Sequence, residues 1–235
     1  MKNTEISTTV IIPTIGTLKV RRAVESVLNQ TIKTIPLVVV DGIEHEEKTR
    51  KVLEELKFNI LVLPENTGAN KYYGHRIYAG IPHIINTKYI SFLDEDCWYE
   101  KNHIKSMKKT LEKDSLDWVY SLRRIIVNDE FYCNDDCESL GKWNPFVNYN
   151  FVDTNCYFVP TENLVQICNS FHGKSQQDRK FYFALSSKFK NFDTSGMYTV
   201  NYDLHPTEYF KDPLEFFKFG NEFCMTKYKK LPWRK

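Results

Sequence analysis

The sequence predicts an α/β protein built on a doubly wound, mostly parallel sheet, and three observations carry that prediction. Short apolar, β-branched runs alternate with helix-patterned stretches through the first hundred residues. Three of the four runs end in groups suited to chemistry: Pro13-Thr14, Asp41, and Asp94-Glu95-Asp96. A chain of 235 residues is long enough for one domain with a substantial core. Strand-helix units joined by right-handed crossovers bring the carboxyl ends of their strands to one edge, where such sheets bind ligands.

The elements follow in order. Thr9-Val10-Ile11-Ile12 reads as a strand stopped by Pro13, followed by a helix whose apolar stripe is Leu18, Ala23, Val24, Val27 and Leu28. Leu37 to Val40 is a second strand ending at Asp41-Gly42; a charged helix spans Glu44 to Leu56, and a third strand covers Phe58 to Leu63. Glu65-Asn66-Thr67-Gly68 forms a turn, and a helix from Asn70 to about Ile81 leads into a fourth strand, Tyr89 to Leu93. That strand is an apolar run closing on three acids, which either bind a cation or form a solvated turn. In an extended segment Asp94 and Asp96 point to the same side, and their oxygens suit Mg²⁺ or Mn²⁺.

Composition sets outer bounds. Hydrophobic content of 42%, charged content of 26% and a net charge of +2 describe a globular chain without a general case for nucleic-acid binding. Residues 1–9 lack the segments of a signal peptide, and no apolar run is long enough to span a bilayer, so a cytoplasmic protein is expected. Its six cysteines include no C-x-x-C pair and are expected as free thiols. Neither a G-x-G-x-x-G fingerprint nor a P-loop is present, which leaves phosphate charge to be neutralised by a metal.

Val10-Ile11-Ile12-Pro13-Thr14, Ser26-Val27-Leu28-Asn29-Gln30-Thr31, Val39-Val40-Asp41-Gly42, Asn66-Thr67-Gly68 and Phe92-Leu93-Asp94-Glu95-Asp96, in that order and spacing, resemble glycosyltransferase family 2. The resemblance covers residues 8–100 and continues more faintly to His205. It implies a GT-A fold over residues 1–235, with a nucleotide-sugar-binding half (1–100), an acceptor-binding half (101–210) and a C-terminal amphipathic basic tail (211–235). By resemblance, Pro13, Thr14 and Asp41 hold the base and ribose of a nucleotide sugar, a UDP-sugar being favoured. Asp94, Glu95 and Arg76 contact the donor, and Asp94 and Asp96 bind Mn²⁺ or Mg²⁺ on the diphosphate, with His205 completing the metal shell. Asp41 also reads as a helix cap, Arg76 as part of a solvated helix face and His205 as a structural histidine. The chain departs from the family pattern at Lys71 to Arg76, in place of a small-residue helix, and at Cys97, where many members carry a third acid.

The second half is less regular. Asp117 to Val127 reads as one or two strands, residues 129–150 as an aromatic-rich irregular region, and Phe151 to Pro160 with Thr161 to Cys168 as a strand and helix. Gln176 opens a helix that buries Phe181 and Leu185 and sets Asp178 in its first turn. Asp178 matches the family's catalytic base, which takes the proton of the acceptor hydroxyl, and that role is favoured over the helix cap the residue would also suit. Tyr198 to His205, before Pro206, reads as a late strand. The tail from Pro213 pairs aromatic with basic residues, including Lys235, and suits packing on the domain or peripheral contact with an anionic membrane presenting a lipid-linked acceptor. Together these imply an inverting, metal-dependent glycosyltransferase acting on a glycan or glycoconjugate hydroxyl. A sugar-phosphate nucleotidyltransferase and a non-catalytic nucleotide-sugar-binding protein are the alternatives.

Overall fold

The computed structural model describes residues 6–174, 176–205 and 213–234; Pro206 and Lys235 lie outside them. Strand β1 (Thr8–Thr14) leads to α1 (Val20–Leu28), β2 (Ile35–Val40), α2 (Glu46–Val52) and β3 (Asn59–Val62). Then come α3 (His75–Gly80), β4 (Tyr89–Phe92), β5 (Trp98–Tyr99), α4 (His103–Lys113), β6 (Trp118–Val127) and β7 (Glu130–Asn134). The remaining elements are β8 (Tyr157–Pro160), α5 (Thr161–Leu164), α6 (Gln177–Lys188), β9 (Phe192–Asp203) and α7 (Pro213–Lys227).

The strands form one sheet in the order β3-β2-β1-β4-β8-β6-β9-β5, with β7 alongside β6. The first four are mutually parallel, β8 is antiparallel to both neighbours, and β6 and β9 are parallel. The half built from strand-helix repeats is therefore the wound, parallel half. Every residue of β1 and β4 is buried, as expected for strands covered on both faces. Pro13 continues β1 rather than stopping it. Pairing with β4 closes at Ile11 and Phe92, and the amide of Leu93 donates to Ile11 O (3.0 Å), so the N–H that proline lacks falls beyond that ladder.

The structure corrects three further expectations. Leu18 is 80% exposed; the buried stripe of α1 is Val20, Ala23, Val24 and Val27, at the helical spacing that faces the sheet. The helix over 70–81 shrinks to His75–Gly80, because Asn70, Lys71 and Tyr73 have positive φ values that no α-helix accommodates. The helix over 161–168 is the single turn Thr161–Leu164, with a 3-10 turn at Cys168–Phe171. Elsewhere β6 is one strand, β7 adds order within 129–150, and α6 buries Phe181 and Leu185 completely. All six cysteines are unpaired.

The C-terminal segment packs on the domain. Helix α7 buries Pro213, Phe217, Gly220 and Cys224, and Trp233 is fully buried with its indole N–H on Asp136 Oδ1 at 2.7 Å. Arg234 and Tyr198 converge on the same carboxylate. Among the described residues no helix is long and apolar enough to cross a membrane.

Candidate active site

The carboxyl ends of β1, β2 and β4 open into a cleft of ≈ 630 Å³ whose walls include Pro13, Thr14, Asp41, Asn66, Gly68, His75, Tyr78, Asp94, Glu95, Asp96, Asp203 and His205. The convergence expected from sequence thus forms.

Asp41 follows β2 and is 4% exposed. Its Oδ1 accepts from the amide (2.7 Å) and hydroxyl (2.8 Å) of Thr67, and its Oδ2 from the amide of Gly68 (2.7 Å). These bonds hold the 66–68 turn in place as a cleft wall. A Cβ at Gly68 would stand 2.5 Å from Tyr73 O and 2.7 Å from Asp41 Oδ2, so the close approach requires glycine. In the same turn Asn66 Oδ1 is buried without a hydrogen-bond partner, an acceptor suited to a donor group brought by a ligand. Thr14 donates to Glu95 Oε2, as does the amide of Thr17 (3.2 Å). Glu95 therefore ties the loop after β4 to the loop after β1.

Asp94 lies at the cleft floor, with Tyr78 Oη donating to its Oδ1 (2.6 Å) and Asn155 Nδ2 to its Oδ2 (2.9 Å). Its own amide donates to Asn155 Oδ1 at 2.6 Å. Burial, reinforced by the like charge of Asp96, raises the Asp94 pKa to about 7 despite those two donors. Asp96 is partly exposed in the cleft wall, and His205 Nε2 lies 3.5 Å from its Oδ2 and 3.6 Å from Asp203 Oδ2.

The group of metal-binding chemistry closest to the expectation is Asp96 with His205, a carboxylate and an imidazole within reach of one point. They fit a divalent ion that takes its remaining ligands from a diphosphate. Asp94 has a donor on each oxygen, and among the described residues no set of three or more His, Cys, Asp or Glu side chains is assembled to hold a metal.

Arg76 is not part of the cleft wall. Its guanidinium lies 3.6 Å over the Tyr72 ring and donates to Thr67 O (3.3 Å), bracing the same loop as Asp41. His75 takes the cleft position instead, with Nδ1 donating to Gly173 O (2.9 Å) and burial lowering its pKa.

Asp178 lines a second cavity of ≈ 220 Å³ with Arg123, Glu138, Phe151, Asp153, Phe216 and Phe217, and this cavity shares Tyr202 and His205 with the cleft. Burial raises the Asp178 pKa, while its Oδ1 accepts from the amide of Arg179 (2.8 Å), a bond within the first turn of α6. Arg179 lies 3.6 Å over the Tyr149 ring.

Sequence reasoning missed the polar network behind both cavities. Arg123, 3% exposed, donates to Asp135 (2.8 Å), Asp153 (2.6 Å) and Glu138 (2.5 Å). Asp153 Oδ1 accepts from Asn155 Nδ2 (2.9 Å), so Asp153 and Asn155 together link Arg123 to Asp94. A usable signal was present: in the strand Leu122-Arg123-Arg124-Ile125, alternation must turn one of two adjacent arginines inward. Arg124 is the outward one, paired with Glu100 at 2.7 Å.

The family model "Glycosyl transferase family 2" matches residues 9–171. The chain belongs to glycosyl transferase family 2. Among solved structures it is similar to TarS of S. aureus, with a TM-score of 0.63 at 15% identity over 88% of this chain and 38% of that one. TarS 1-349 in complex with UDP gives 0.63 at 16% identity, covering 88% of this chain and 63% of that one. TarS 1-349 in complex with UDP-GlcNAc gives 0.64 at 14% identity, covering 94% and 66%. Likeness at these identities shows a shared GT-A fold, and the family-2 chain spans less than two thirds of the length of these relatives. No match was found among curated proteins.

Proposed function

We propose that this family-2 chain transfers a sugar from a nucleotide-diphosphate sugar, a UDP-linked one by preference, to a hydroxyl of a glycan or glycoconjugate, with inversion at the anomeric carbon. The observation that carries the reading is the pair of adjoining cavities, one walled by Asp41, Asn66 and Asp94 to Asp96, the other by Asp178, with Tyr202 and His205 common to both. A donor in the first and an acceptor in the second meet at that shared wall.

In this reading the turn held by Asp41 receives the nucleoside, and Asn66 Oδ1 offers an acceptor to the base. Asp96 and His205 would hold a divalent ion, which when bound supplies positive charge to the departing diphosphate. Asp178 accepts the proton of the attacking hydroxyl. Its raised pKa favours that transfer, since a base held nearer neutrality by burial retains the proton it takes. Displacement in one step from the face opposite the leaving group inverts the sugar. The six free thiols suit a reducing, cytoplasmic compartment.

Thermal unfolding with UDP, GDP, CDP and dTDP, each with Mn²⁺ or with chelator, tests the donor site: UDP with Mn²⁺ should raise the melting temperature most. Asp178→Asn should keep that stabilisation and lose transfer by about 10²- to 10⁴-fold. A variant that binds UDP and transfers at the normal rate would remove Asp178 from the mechanism.

A further inference from the structure

Beside the cleft, Lys19 stands one residue before α1 with its Nζ 2.7 Å from Asp203 Oδ2 and 3.1 Å from His205 Nε2. The Asp203 side chain is 6% exposed, so its charge needs a close partner. Arg22 is the next cation, at 3.8 Å, but it donates to Asp129 (2.6 Å) and lies 3.5 Å over the Trp98 ring. Lys19 is thus the group that neutralises Asp203.

An ammonium can only donate, so His205 Nε2 accepts from it and carries its lone pair toward Lys19. That lone pair is the one a metal would use. We propose that the Lys19 ammonium is a built-in occupant of the cation position at the rim of the donor cleft, so that Lys19 and a divalent ion compete for His205 and for the field of Asp203 and Asp96. The inference rests on the reading of Asp96 and His205 as metal-holding residues. The lysine side chain is 41% exposed and has room to swing into solvent when the ion arrives. Before that it balances the charge of a buried carboxylate and holds His205 in the tautomer that binds metal. Sequence alone could not indicate this, because Lys19 and Asp203 are 184 residues apart.

The test is Mn²⁺ titration followed by electron paramagnetic resonance of the free ion, at saturating UDP and without acceptor, on the wild-type chain, Lys19→Met, Lys19→Gln and Lys33→Met. Lys33 is exposed and lies before β2, at the opposite end of the sheet, and its variant removes one positive charge far from the cleft. Both Lys19 variants should bind Mn²⁺ about three- to tenfold more tightly than wild type, with Lys33→Met unchanged. Equal or weaker binding by the Lys19 variants, or the same gain in Lys33→Met, would overturn the competition and leave the metal reading standing. Absence of Mn²⁺ binding in every protein would overturn both.

Discussion

Tyr78 and Asn155 determine how Asp94 is presented to the cleft, since each donates to one of its oxygens. The Tyr78 ring also packs edge-on against Phe92 at 5.0 Å, a contact that phenylalanine would keep. Tyr78→Phe should therefore fold normally and bind UDP with Mn²⁺ more weakly, by about 1–2 kcal/mol, measured calorimetrically; unchanged affinity would show that the hydroxyl plays no part in donor binding. Arg123 presents the opposite case. It is the shared partner of Asp135, Glu138 and Asp153, and Arg123→Met leaves those carboxylates close together without a cation. Urea denaturation should show a loss of about 3–5 kcal/mol, because removing one partner of a buried ion cluster costs far more than the cluster contributes net. The acids after β4 were legible in the sequence because they are neighbours on one strand end. Alternation along β6 marks one of its two arginines as inward, but the partners of Arg123 and Asn155 were not legible, because Asp135, Glu138 and Asp153 come from the segments between β7 and β8.

At the scale of the element, α4 carries a pH-dependent contribution. His103 begins the helix, fully buried, stacked on Tyr99 at 3.8 Å with Nδ1 2.7 Å from Thr199 Oγ1. Burial lowers its pKa from 6.5 to about 3. The unfolded chain therefore binds the extra proton between those values, so this stability is present above pH 6.5 and is lost as pH falls, by about 1.4 kcal/mol per unit. Melting temperatures from pH 7 to 4.5 should drop more steeply in the wild type than in His103→Gln; parallel curves would exclude His103 as the source. The region 69–74 shows the limit of pattern reading at this scale. Its residues are compatible with a helix, yet the turn anchored by Asp41 hands the chain on in a left-handed path, and tertiary anchoring outweighs local preference.

Across the whole molecule, the C-terminal segment behaves as part of the core. Trp233 is fully buried and meets Asp136, which Tyr198 of β9 and Arg234 also engage. Trp233→Ala should destabilise the protein by about 3–5 kcal/mol in chemical denaturation; a change below ~1 kcal/mol would mean that the tail is dispensable for folding. The basic, aromatic composition of residues 213–234 suits core or dimer packing ahead of membrane contact, and burial of Phe217, Cys224 and Trp233 agrees with packing on the domain. The sequence by itself determined the wound half of the fold, from β1 to β4, because each strand and helix there is marked by a local run and joined by a short crossover. It likewise determined which strand ends would meet, since parallel strands send their carboxyl ends to one edge. Tertiary structure alone decided what meets at that edge: Lys19 with Asp203, Asp94 with Asn155, and Asp178 in one cavity wall with Phe216 and Phe217 of α7. Those pairs are far apart along the chain, and their energies arise from burial and hydrogen-bond geometry that exist only once the sheet is closed.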